Sequence, residues 1–335
     1  MRNETRVLYG QYTDRQAQLN SVPNAAVKFN VSPSVQQTLE SKIQESSEFL
    51  GKINIVPVDE MKGAKLGLGV SGPIASRTDT SGNGTRQTRS VTTMDSKGFE
   101  CFQTDYDHHI PYATLDSWAK FKNFQTRIRD AVLKRCALDR MTIGFNGTSA
   151  AATSNLQTNP LLQDVNIGWL HHLRTDAAAQ VLKEGAVANK VTVGQAGDYK
   201  NLDALVYDAT KTLLATWYQD DPELVAIVGR DLMHDKLFPL VSEPDAPTEM
   251  LAADIVRSQR RLGGLRAMVV PFFPAGRVLV TRLDNLSIYY QSGARRRAVI
   301  DRPERNRIEH YESSNDAFVV EDYELCALVE NIEQI

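Results

Sequence analysis

Nowhere in the 335 residues is there an apolar run approaching the roughly 18 residues that a membrane-spanning helix needs. The opening stretch, MRNETRVLYGQYTDRQ, also has none of the apolar core of a signal peptide. A soluble cytosolic product is therefore expected, and the sequons at Asn83 and Asn146 carry no glycosylation message. Cysteine is scarce. Cys101, Cys136 and Cys326 are odd in number, widely spaced and without a CxxC pair, which excludes a disulfide framework and speaks against a thiolate metal site. Net charge is small as well: −3, with a pI near 6.1, excludes a protein whose main business is gripping nucleic acid through a basic surface. No internal repeat of fixed period is present. No nucleophile, base and orienting acid fall at a recognisable spacing.

What is present is an ordinary globular composition, 42% hydrophobic and 24% charged, in a chain long enough for two domains with real cores. Its longest helical pattern runs from Thr114 to Gly147. Trp118, Phe121, Phe124, Ile128, Val132 and Cys136 recur three or four residues apart, with Lys120, Lys122, Arg127, Arg129, Lys134 and Arg135 mostly between them. This predicts one continuous helix with one buried stripe and one wet face, capped by Thr114 or Asp116 and ended by the glycines at 144 and 147. About 28 residues at 1.5 Å rise would span roughly 40 Å.

Before that helix, residues 1–29 read as a short, weakly amphipathic helix and a linker, detachable from the rest. Val31 to Leu50 predicts a second helix begun at Pro33, and KINIVPV a strand. Met61 to Ile110 predicts a long two-stranded hairpin around the polar tip TDTSGNGT. Such a ribbon is marginal in water by itself, so a neighbouring subunit is expected to cover it. After the long helix, helix and strand alternate from about Gly197 to Asp284, which predicts a compact α/β unit. RVLVTRL, SIYY, RAVI, RIEHYES, AFVV and YELCALVENI then predict short successive strands.

Candidate chemistry is thin. Gly67-Leu-Gly69-Val-Ser-Gly72 fits GxGxxG, but Pro73 and IASRTDTSGNGT cannot supply the helix that a dinucleotide site requires, so a glycine-bearing strand is the plainer reading. His108 and His109 neighbour Asp105 and Asp107, yet adjacent strand residues face opposite ways. His171 and His172 lack the HExxH spacing, and His234 and His310 stand isolated. The strongest charge cluster is Arg295, Arg296 and Arg297, followed by Arg302, Arg305 and Arg307, with Asp301, Glu304 and Glu309 interleaved. Intersubunit or surface ion pairing is favoured over DNA contact, with Glu321, Asp322 and Glu324 as the natural opposite charge. No catalytic, cofactor or metal residue is assigned.

The order of parts resembles that of tailed-phage major capsid proteins of the Hong Kong 97 type. QESSEFLGKINIVPVDEMKG (44–63), TLDSWAKFKNFQTRIRDAVLKR (114–135), GFNGT, NPLLQDVNIGWL, LVAIVGRDL, MLAADIV and NLSIYY more closely resemble the peduovirus (phage P2-like) major capsid family. That resemblance implies an α+β fold. Its parts would be an N-terminal segment 1–29 removed on maturation at about Phe29-Asn30, an arm 30–60 and an extended loop 61–110. A peripheral domain 111–196 holding the spine helix, an axial domain 197–285 and a peripheral return 286–335 would complete it. It further implies self-assembly into hexamers and pentamers of an icosahedral head, a scaffold and maturation protease, a portal, and double-stranded DNA bound without sequence specificity. The expected location is the virion, with assembly in host cytoplasm and no membrane. The alternatives are an α/β nucleotide-binding enzyme using Gly67–Gly72, or another virion component such as a tail or scaffold protein.

Overall fold

A computed structural model describes residues 1–65, 74–81, 84–88, 97–121, 123–233 and 261–335. The chain opens with helix α1 (Asn3–Leu19) and the short strand β1 (Phe29–Asn30). Helix α2 (Pro33–Glu45) follows, begun by a proline whose missing N–H costs nothing in a first turn. Next come β2 (Asn54–Val58), then β3 (Lys62–Ala64) and β4 (Gly98–Glu100), which pair with each other. β5 (Phe102–Asp105) and β6 (His108–Pro111) lead into α3 (Tyr112–Trp118) and α4 (Phe124–Asn146). The middle of the chain contributes α5 (Trp169–Asp176), β7 (Val181–Leu182), β8 (Val191–Val193) and α6 (Leu202–Leu213). Strands β9 (Val225–Val228), β10 (Arg261–Leu262), β11 (Leu265–Met268), β12 (Val278–Thr281), β13 (Leu286–Gln291) and β14 (Arg296–Arg302) come next. β15 (Arg307–Val320), β16 (Ala327–Val329) and β17 (Ile332–Gln334) finish the chain.

Two larger sheets organise most of these strands, and β3–β4 and β8–β17 form two-stranded ribbons. The first runs β1-β14-β15-β13-β2, with β5 and β6 also paired to β15. The second runs β10-β11-β9-β12-β16-β7. β15 is the axis of the first: RIEHYES and AFVV, expected as separate strands, form one 14-residue strand. Its even positions Ile308, His310, Glu312, Ser314, Asp316, Phe318 and Val320 are all buried, a polar middle framed by apolar ends. A continuous apolar core then links the sheets, joining Ile288 and Phe318 of the first to Ile227, Leu279 and Leu328 of the second through Trp169 and the inner half of α4.

Several expectations are corrected. The Thr114–Gly147 helix is two helices, broken between Trp118 and Phe124, so the apolar register does not run through the break. Ile128 and Cys136 are buried as the spacing implies, whereas Phe121 beside the break is 38% exposed, and the side chain of Phe124 lies outside the described residues. Among the described residues, the predicted long hairpin is paired at its root, β3 with β4. β5 and β6, also within the predicted hairpin, each pair with β15 in the first sheet. The C-terminal strands lie outside the first sheet: β16 pairs with β12 and β7, and β17 with β8. α1 is docked rather than loose, with Thr5, Tyr9 and Ala17 buried. The helix expected at 249–261 falls almost wholly outside the described residues.

Candidate functional site

The charged residues the sequence singles out converge on α2, α4 and the first sheet. α2 turns Gln36, Glu40 and Ile43 inward, an i, i+4, i+7 stripe with a carboxylate in its middle. α4 continues its own stripe past Cys136 to Arg140, which is fully buried. Arg140 Nη2 donates to Glu40 Oε1 at 3.1 Å and to Asp316 Oδ2 at 3.3 Å, and its Nη1 also meets Glu40. Arg295 bridges Glu40 and Glu312, donating through Nε to Glu312 Oε1 at 2.6 Å, and Arg297 Nη2 donates to Glu312 Oε2, also at 2.6 Å. Burial by itself would raise the Glu312 carboxyl, but Arg295 and Arg297 outweigh it and hold the group well below the usual carboxylate range. Three guanidinium groups therefore face three carboxyls in a dry, charge-balanced cluster that fixes the arm helix to the spine helix and the sheet.

The five candidate contact residues fall at different depths. Arg295 is 1% exposed and engaged within the chain, as is Arg297; of the arginine triplet, Arg296 is the exposed member. Glu321 accepts hydrogen bonds from Ser287 and from Tyr289 Oη at 2.9 Å, and Asp322 accepts one from Tyr218 Oη at 2.8 Å, so both acids are held internally. Arg302, Arg305 and Arg307 all close on Glu309. His310 is not isolated. It stacks on His108 with ring centroids 4.7 Å apart, and its Nε2 lies 3.0 Å from Tyr9 Oη. His109 points away and is exposed, as strand alternation requires.

At the root of the extended loop, Lys97 Nζ lies 2.6 Å from Asp176, which also meets His172 and Tyr323, and Lys65 Nζ sits 3.8 Å over the Tyr323 ring. This fixes both limbs as they leave the body. Every described residue at 74–81 and 84–88 is exposed, Ile74 at 55%. Gly67, Gly69 and Gly72 lie outside the described residues. At the other end of the body, Phe29 and Asn30 form the edge strand β1 opposite Arg297 and Arg296, Phe29 buried and Asn30 exposed. Among the described residues, no group of three or more His, Cys, Asp or Glu is placed to hold a metal ion, and no helix is long and apolar enough to cross a membrane.

The described loop residues at 74–81 and 84–88 are all exposed, α2 is held to α4 and the first sheet by buried ion pairs, and the two larger sheets share one core. A family model described as phage major capsid protein, P2 family, matches residues 8–332. The chain belongs to that family. It is 50% identical over 341 residues to the capsid proteins of Escherichia phage P2, covering 99% of this chain and 96% of that one. To the major capsid protein of Serratia phage KSP20 it is 42% identical over 342 residues, covering 99% and 97%. Among solved structures it is similar to a chain of the satellite phage P4 procapsid including size determination protein, with TM-score 0.84, 46% identity and coverage of 100% and 99%. The fold is the α+β Hong Kong 97 type, and the protein is a tailed-phage major capsid protein of this P2 family. The sequence signals for the ion cluster were there unread: Glu40 and Arg140 each sit on the apolar stripe of a helix, where a charge needs a partner.

Proposed function

We propose that many copies of this chain form the hexamers and pentamers of an icosahedral head that encloses double-stranded DNA without sequence specificity. Assembly proceeds with a scaffold and a maturation protease, around a portal, in host cytoplasm. The observation that carries the reading is the loop rooted at β3 and β4, whose described residues find no cover in their own chain. Laid across a neighbour, it buries Ile74 and offers unpaired backbone to a second copy, a contact that closed symmetry repeats around a ring. In the same reading residues 1–29 are removed at Phe29-Asn30. β1 supports this by its place at the sheet edge, where, among the described residues, one side of the scissile strand has no strand partner. Arg296 remains the member of the arginine triplet available to a neighbour.

Electron microscopy of the chain expressed with its scaffold should show closed shells, and tubes or monomers alone would overturn the proposal. The intact mass of subunits from those particles should begin at Asn30. A mass that still includes residues 1–29 would remove the cleavage.

A further inference from the structure

Between Lys120 and Arg135 the sequence places Lys120, Lys122, Arg127, Arg129, Lys134 and Arg135 against the single acid Asp130, in a chain whose net charge is −3. Lys120, Arg127, Arg129, Lys134 and Arg135 are all exposed. Arg129 pairs with Asp130 at 2.9 Å, and Arg135 pairs with Asp139 one turn on. Among the described residues, Lys120, Arg127 and Lys134 have no carboxylate partner. Arg127 instead lies over the Phe121 ring, 4.0 Å from its centroid, and donates through Nε to Asn123 Oδ1 at 2.9 Å. Lys120 sits 5.3 Å from the same ring. The ring and the amide orient these cations without neutralising them.

Two comparisons within the molecule set this face apart. Among the described residues, several arginines elsewhere are closed on acids: Arg302, Arg305 and Arg307 on Glu309, Arg295 and Arg297 on Glu312, and Arg282 on Asp221, Glu223 and Asp284. Helix stability also does not account for the charges. α4 has no acidic residue in its first turn, and Arg127 and Arg129 stand near its positive end, where the helix dipole disfavours cations. The arrangement is linear rather than convergent. Arg127 and Lys134, seven residues apart, share one helix face about 10 Å apart along the axis, and Lys120 stands with Arg127 at the Phe121 ring before the helix start. A discrete carboxylate is taken by converging guanidinium groups, as at Glu309; a row of separated cations suits a row of phosphates.

We infer that the exposed face of α4, with Lys120 ahead of it, is a sequence-independent contact for the phosphate backbone of double-stranded DNA. This rests on the reading of the chain as a shell around DNA and names the surface that meets it. A handful of unneutralised charges per copy holds the duplex weakly, so packaged DNA remains able to slide.

The test uses the full-length chain, a fluorescent random-sequence DNA duplex and poly-glutamate as competing acidic probe, titrated across salt concentration. Lys120→Gln, Arg127→Gln and Lys134→Gln combined should flatten the plot of log affinity against log salt by about 2.7, at roughly 0.9 per charge removed. Lys134→Arg should leave the slope as in the wild type, and the denaturant midpoint of the triple variant should be unchanged. An unaltered DNA slope, no measurable DNA binding by the wild type, or loss confined to poly-glutamate would overturn the inference, the last by assigning the face to an acidic peptide. Microscopy keeps the two readings apart. Normal shells with an unaltered slope refute this face alone, whereas a flattened slope without shells supports the face and refutes the shell.

Discussion

The phenol oxygen of Tyr9 lies 3.0 Å from Nε2 of His310, across 301 residues of chain, so the first helix is fastened near the start of the longest described strand. His108 stacks beneath His310, with Arg297, Glu312, Tyr12 and Asp107 around the pair.

That contact makes stability pH-dependent. Burial, with the neighbouring His108 and Arg297 adding to it, drives His310 down to about 3, and burial lowers His108 as well. The unfolded chain, with histidines near 6.5, therefore binds more protons below that pH. The contribution is full above about 6.5 and is lost as pH falls toward 3. From about pH 6.5 to about pH 5, His310 alone should remove roughly 2 kcal/mol. Urea midpoints across that window should fall more steeply for the wild type than for His310→Asn, and parallel slopes would contradict the assignment.

Glu40→Ala leaves Arg140 and Arg295 buried with one acid each and should cost about 3–5 kcal/mol in urea unfolding. Glu45→Ala removes an exposed partner of Lys42 on the same helix and should change stability by less than about 0.5 kcal/mol. Similar costs for the two would mean that burial does not govern the cluster.

Ile128 is 1% exposed and packs with Tyr9, Leu115 and Ile308. Ile128→Ala should cost about 2–5 kcal/mol, and Ile128→Asp should yield neither folded subunits nor shells. Phe121→Ala, outside the buried stripe, should shift the midpoint by about 0.5 kcal/mol or less. Well-assembled shells from the aspartate variant would show the stripe misplaced.

Gly144 faces the ring of Trp169, which donates from Nε1 to Ser287 carbonyl oxygen at 3.0 Å. A methyl group there overlaps the indole, so Gly144→Ala should cost about 1–3 kcal/mol and alter the near-ultraviolet tryptophan dichroism band. An unchanged band with full stability would mean that the spine helix shifts freely against α5.

Particular residues show how much of this was legible in the sequence. Ile128 and Cys136 announced the buried side of the spine because helical periodicity is a local property. The alternation of helix and strand from about Gly197 announced α6, whose N-cap Asn201 accepts a hydrogen bond from the Ala204 amide at 2.8 Å. The break before Phe124 was hidden because neither glycine nor proline marks it. The partners of Arg295 were hidden for another reason. Glu312 is near in sequence but Glu40 lies 255 residues away, and proximity made by folding leaves no spacing to read. The same holds for His310, isolated in sequence and stacked in space.

The position of β16 between β12 and β7 also bears on how the subunit is made. Residues 327–329 join strands from 278–281 and 181–182, so the second sheet stays open along its middle until the ribosome has delivered residue 329. A copy broken off before that point lacks the strand that joins β7 to β12, and its second sheet is left in two pieces.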